Sequence, residues 1–174
     1  MALKPVKKAW EQQRQFVADA SHELKTPLTV ILANTGILLR HPDDTIMQQQ
    51  KWVESTKTEG ERMKELIDHM LFLAKTDADQ MPLSFSPLDL SDTLWSCLLP
   101  FVHNQGEAIP AEDLPHIFER FYRVDASRSR SAGGYGLGLA IAKTIADRHK
   151  ASLRVNSSAP EGTTFILRLP LKDN

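Results

Sequence analysis

Cysteine is almost missing from this chain: Cys97 is the only one in 174 residues. That excludes an intramolecular disulfide and a cysteine-built zinc site, and it fits a reducing compartment. Neither sign of charge prevails. Lys and Arg number 21 against 22 for Asp and Glu, a net charge of -1, so no global field draws nucleic acid or an anionic membrane. Long apolar runs are missing too. The most apolar stretch, Leu28 to Leu39, is broken by Thr29, Asn34, Thr35 and Gly36, far short of the ~20 apolar residues of a spanning helix. Lys4, Lys7 and Lys8 open the chain, but polar residues from Glu11 to Gln15 follow, where a signal peptide needs its hydrophobic segment. Membrane contact by this chain and secretion are therefore not expected. What remains is ordinary: 41% hydrophobic and 25% charged residues are globular proportions, and the length suits one ordinary domain or two small ones.

Periodicity divides the chain. From Lys7 to about Leu39, Val17, Ala20, Leu24, Leu28, Ile31 and Leu38 recur at steps of three, four and seven, which predicts one long amphipathic helix. His41-Pro42-Asp43-Asp44 then breaks it, because proline disfavours helix in the residue before it and aspartates suit a new helix start. From Ile46 to Ala74 the line Ile46, Gln49, Val53, Thr56, Gly60, Met63, Ile67, Met70, Ala74 predicts a second helix of similar length. Such a hairpin has too little partner surface to bury its seam alone, and a homodimeric four-helix bundle is the economical solution. Beyond Asp77, prolines punctuate the chain, helix signals return at Ala111 to Phe121 and Leu137 to His149, and alternation around Leu153 to Val155 and Phe165 to Leu169 predicts a closing β-hairpin. The fold class read from this is α+β: a helical hairpin, residues 1–81, followed by a partial α/β sandwich, residues 82–174.

Two patches carry chemistry. In Ser21-His22-Glu23-Leu24-Lys25-Thr26-Pro27, His22 lies about 160° around the helix from Leu24 and so faces solvent. An exposed imidazole is a nucleophile near neutral pH, and Glu23 beside it can take its proton or hold its tautomer. Pro27 removes a helix hydrogen bond and bends the helix at this point. The run from Phe16 to Leu28 closely resembles the phosphoacceptor box of two-component sensor histidine kinases. The resemblance implies that His22 receives the γ-phosphoryl group of ATP and passes it to an aspartate of a response-regulator receiver domain. It also makes Glu23 the acid/base partner and gives Thr26 the task of positioning water in the reverse, phosphatase, reaction.

The second patch, Gly133-Gly134-Tyr135-Gly136-Leu137-Gly138-Leu139, holds four of the chain's eight glycines. Glycines before a helix let backbone amides approach phosphate, where the helix dipole also favours an anion. Arg120, Arg123, Arg128 and Arg130 precede it. Gly134 to Leu139 resembles the same family's second glycine box, Phe118 to Arg123 its phenylalanine box, and Glu161 to Phe165 its small closing box. By that resemblance the stretch between Tyr122 and Gly133 is an ATP lid, Gly134, Gly136, Leu137, Gly138 and Arg123 bind ATP, and Asn104 and Gly106 face adenine. ATP and Mg²⁺ are the implied cofactors, and the parent protein is implied to be anchored in a bacterial inner membrane, with this chain a cytoplasmic fragment.

Two departures qualify the resemblance. Asn104 stands where the family has an aspartate for the adenine amine, and Ala108 replaces a glycine; an amide oxygen still accepts that bond, without charge assistance. More seriously, only Ser91 to Phe101 separate Leu88-Asp89-Leu90 from Val102. Eleven residues cannot hold a helix, strands and their turns, and no asparagine in that interval can serve as the family's magnesium ligand. An internal deletion, natural or engineered, or a dropped segment, is therefore expected, with impaired Mg-ATP binding. The alternative is a noncatalytic dimeric phosphotransfer or docking module.

Overall fold

The computed structural model describes residues 3–83, 108–124, 134–158 and 162–170. Helix α1 runs Leu3–Arg40 and contains Pro27. Its 38 residues span about 57 Å. Proline has no N–H to give to the carbonyl of Glu23, four residues back. Hydroxyls flank the gap: Ser21 Oγ donates to the Val17 carbonyl at 2.8 Å and Thr29 Oγ1 to the Lys25 carbonyl at 2.7 Å.

Helix α2 is Gln50–Asp77, four residues later at its start than the periodicity predicts. The reason lies in the cap. Thr45, rather than an aspartate, closes a capping box with Gln48: the Thr45 N–H donates to Gln48 Oε1 at 2.7 Å and the Gln48 N–H to Thr45 Oγ1 at 3.3 Å. Residues 46–49 are turns before regular helix begins.

Two compact units make up the chain: Met1–Phe72 with Glu119–Gly138, and Leu73–Phe118 with Leu139–Asn174. In the first, α1 turns Ala20, Pro27 and Asn34 inward, and α2 buries Leu66 completely. The inward line keeps the predicted Gln49, Thr56, Met63 and Met70, buried or half-buried, and between them runs through Trp52, Glu59 and Leu66 in place of the predicted Val53, Gly60 and Ile67, which are exposed. A glutamate in the true line hides it from a reading of apolar spacing. Asn34, buried, donates from Nδ2 to Ser55 Oγ at 2.9 Å, so the one polar side chain in the α1 line is satisfied. Val17 and Leu28, placed on the seam by sequence, are exposed, as are Leu32, Leu39 and Leu71: a single hairpin covers one face of each helix and leaves the other open.

In the second unit the chain leaves α2 through Asp79, in the left-handed region at φ 52°, with the Gln80 N–H reaching back to the Lys75 carbonyl at 2.9 Å. Arg148 closes over this end, donating to the carbonyls of Thr76 and Met81 and lying 3.5 Å from the Asp79 carboxylate. Residues 111–118, predicted helical, form successive turns instead; Pro115 has no N–H to donate, and the hydrogen bonds stop at short loops such as His116 N–H to the Asp113 carbonyl, 2.8 Å. Helix α3, Gly138–Arg148, leads through Lys150 at φ 55° into β1, Ser152–Ser158. It pairs antiparallel with β2, Gly162–Arg168, Val155 opposite Phe165 and Leu153 opposite Leu167. Phe118 meets Phe165 edge to face at 6.5 Å, and the Ile109 N–H donates to Ser157 Oγ at 2.8 Å. Phe165 and Leu167 nevertheless remain 45% and 54% exposed, which leaves one sheet face apolar and open.

Candidate functional site

Helix α1 fixes the first half of the site within two turns. His22 and Thr26 are exposed on neighbouring positions of one face, Glu23 is half-buried, and Pro27 is buried beneath them. Across from them α2 supplies Glu59 and Arg62, joined by Arg62 Nη1 donating to Glu59 Oε1 at 2.6 Å. The pair is partly sheltered, Glu59 at 15% and Arg62 at 41% side-chain exposure.

The other half comes from far along the chain and is held by aromatic packing. Phe16 of α1 packs against Phe121, ring centroids 5.6 Å apart, and the Arg120 guanidinium lies 5.2 Å over the same Phe16 ring. Phe121 adopts φ 62°, rare for a bulky side chain, and its N–H donates to the Gly136 carbonyl at 3.0 Å. Gly136 itself has φ 70°, and a Cβ there would stand 2.7 Å from the Tyr122 carbonyl oxygen and 2.8 Å from the Phe121 carbonyl carbon. Only glycine fits that crossing. At Gly134 and Gly138, in contrast, a Cβ meets nothing within 4 Å.

These contacts gather His22, Glu23, Thr26, Pro27, Glu59, Arg62, Arg123, Gly134 and Tyr135 around a cavity of about 230 Å³. That is below the ~300 Å³ at which pockets for whole small molecules begin, so the space suits a small group better than a nucleotide. Tyr135 is the member whose acidity changes: burial pushes its phenol up from the ordinary value, Arg62 pulls it down, and Glu59, Glu65 and Glu23 push it up again. It remains a neutral O–H donor through the physiological range.

Of the residues singled out from sequence, the structure brings His22, Glu23, Thr26, Arg123 and Gly134 together. Gly136, Leu137 and Gly138 follow at the start of α3, outside the cavity lining, with Leu137 buried. Asn104, Gly106, Arg128, Arg130, Glu161 and the interval 91–101 lie outside the described residues. Glu59, Arg62 and Tyr135 were missed as site residues. Glu59 left one usable signal, a charge at a heptad position between Trp52 and Leu66.

A family model described as His Kinase A (phospho-acceptor) domain matches residues 12–79, and one described as histidine kinase-, DNA gyrase B-, and HSP90-like ATPase matches residues 61–173. Sensor histidine kinase YkoH of Bacillus subtilis is 32% identical over 221 aligned positions, covering 94% of this chain and 49% of the relative. Sensor histidine kinase RppB of Synechocystis is 27% identical over 235 positions (98% and 52%), and sensor protein CiaH of Streptococcus pneumoniae 27% over 233 (99% and 52%). The chain thus spans about half the length of the curated relatives it matches.

Proposed function

The chain belongs to the two-component sensor histidine kinases, and from that premise we propose that His22 is a phosphoryl acceptor that passes its load to an aspartate of a response-regulator receiver domain. The observation that carries this is the exposed imidazole beside half-buried Glu23, at the mouth of a small cavity with two guanidinium groups. An imidazole nitrogen of His22 attacks phosphorus in line while Glu23 holds or accepts the ring proton, and Thr26, one turn on, orients water when the phosphoryl group is removed hydrolytically. ATP, when bound, supplies the phosphoryl group, its phosphates held by Gly134, Gly136, Leu137 and Gly138, its adenine by Asn104 and Gly106, with Mg²⁺ neutralising charge. Arg123 sits where it can meet the transferring group. Residues 1–81 serve as the dimerising phosphotransfer domain and 82–174 as the ATP-binding remnant. The outward apolar stripe of Val17, Leu28 and Leu32 supports a homodimeric bundle. The proposal includes a membrane-anchored parent, of which this is a cytoplasmic part; no described helix is long and apolar enough to cross a membrane.

The second reading, a phosphotransfer module served by another kinase, is favoured by one comparison: the aligned spans of 221, 235 and 233 positions each exceed the 174 residues here, so each relative holds sequence without a counterpart in this chain. The open sheet face at Phe165 and Leu167 is in keeping with missing structure above it. Incubation with labelled ATP separates the readings. Acid-labile label on His22 without added kinase supports the enzyme; label appearing only with an intact catalytic domain supports the module. His22→Gln is expected to abolish label in both, and label that persists in that variant overturns the site.

A further inference from the structure

The cavity at His22 holds more cationic donor capacity than an acceptor imidazole alone requires. Glu23 and Glu59 balance Arg62 and Arg123, so the cavity is near neutral while His22 is unmodified. Attaching a phosphoryl group adds roughly two negative charges, as it does on other side chains, and groups that can answer that charge are already in place. Arg62 has one donor, on Nη1, engaged by Glu59, out of the five that its planar fork carries. A divalent cation is the obvious rival, given one histidine and two carboxylates. It is ruled out by geometry: among the described residues no group of three His, Cys, Asp or Glu side chains is placed to hold a metal ion, and Glu59 is committed to Arg62.

We propose that Arg62 on α2, with Arg123 and the Tyr135 hydroxyl, forms a subsite that holds the phosphoryl group once it is attached to His22, and that Glu59 keeps Arg62 aimed at that position beforehand. This deepens the acceptor reading of His22 and rests on it. The ligand is the three-oxygen, dianionic face of a phosphoryl group on an imidazole nitrogen; its donors are two guanidinium forks and a phenol, which match phosphate oxygens better than point charges do. The subsite also sets a lifetime. A phosphoryl group gripped by α2 is sheltered from water until a receiver domain competes for it.

Phosphoramidate tests this without ATP. The His22 nitrogen displaces ammonia from phosphorus, one P–N bond forming as the other breaks, and the imidazole proton leaves with the ammonia as ammonium. Wild type is expected to take up acid-labile phosphoryl and His22→Gln to take up none; absence of label from wild type overturns the acceptor reading itself. On labelled protein, ³¹P magnetic resonance gives the midpoint of the phosphohistidine titration. A neighbouring cation disfavours adding a proton, so Arg62→Gln should raise the midpoint by about half a unit and Glu59→Gln should lower it. Because Arg62 is 41% exposed and screened, uptake should slow only about tenfold in Arg62→Gln, with Arg62→Lys recovering part of the rate through charge alone. Circular dichroism checks that each variant is folded. If folded Arg62→Gln labels at the wild-type rate with an unmoved midpoint, or if Glu59→Gln and Arg62→Gln shift it in the same direction, the subsite is wrong while His22 stands.

Discussion

The inward and outward faces of the helical hairpin are built from opposite materials. Inward, α1 presents Ala20, Pro27 and Asn34; outward, it presents Val17, Leu28, Leu32 and Leu39, all bulkier and more apolar as a set. Size decides which face its own partner helix covers. Compact residues let two backbones approach and interlock, whereas a stripe of large apolar side chains left open asks for a second body. Leu32, 63% exposed, is the clearest member of that open stripe, and Leu66 on α2, fully buried, is the clearest member of the closed one.

Three substitutions test this contrast. Leu66→Ala should cost about 2–5 kcal/mol, a buried leucine's usual cavity and transfer loss, read as a lower urea midpoint; a cost under about 1 kcal/mol would mean the inner face is not what holds the hairpin. Leu32→Glu should leave helix content unchanged but weaken self-association about a hundredfold, nearly 3 kcal/mol, by sedimentation across a concentration series. Loss of helix in the dilute variant would instead place Leu32 inside the single-chain fold. Ser55→Ala is the smallest. It strands the Asn34 amide and should cost about 1 kcal/mol, while Asn34→Leu combined with Ser55→Ala should recover much of it, since removing both polar partners removes the unmet bond.

How much of this was legible depended on distance along the chain. His22, Glu23 and Thr26 lie within five residues, so helix geometry turned His22 to solvent and the resemblance of this short run supplied Glu23 and Thr26. The β-hairpin was equally local, and its strands were predicted by alternation. Glu59, Arg62 and Tyr135 reach the same cavity from two other segments, and no spacing rule connects residue 22 to residue 135. Part of the predicted α2 line failed for a related reason, while Gln49, Thr56, Met63 and Met70 held. Val53, Gly60 and Ile67 looked like the better apolar line because Glu59 interrupts Trp52 and Leu66, and that interruption is where the cavity lies. At 111–118 a helix-like composition lost to Pro115, whose missing donor limits the segment to turns.

Gly134 and Gly136 before α3 and Gly138 at its first position answer to different constraints. Gly136 is locked by the protein's own main chain, since an added Cβ would stand 2.7 Å from the Tyr122 oxygen, while at Gly134 and Gly138 a Cβ would meet nothing within 4 Å. Drift at position 136 is therefore forbidden by architecture whatever the protein does, but drift at 134 or 138 is architecturally permitted. Alanine at those two outer positions meets no steric bar within the chain, which makes the pair a gauge of the proposed phosphate contact.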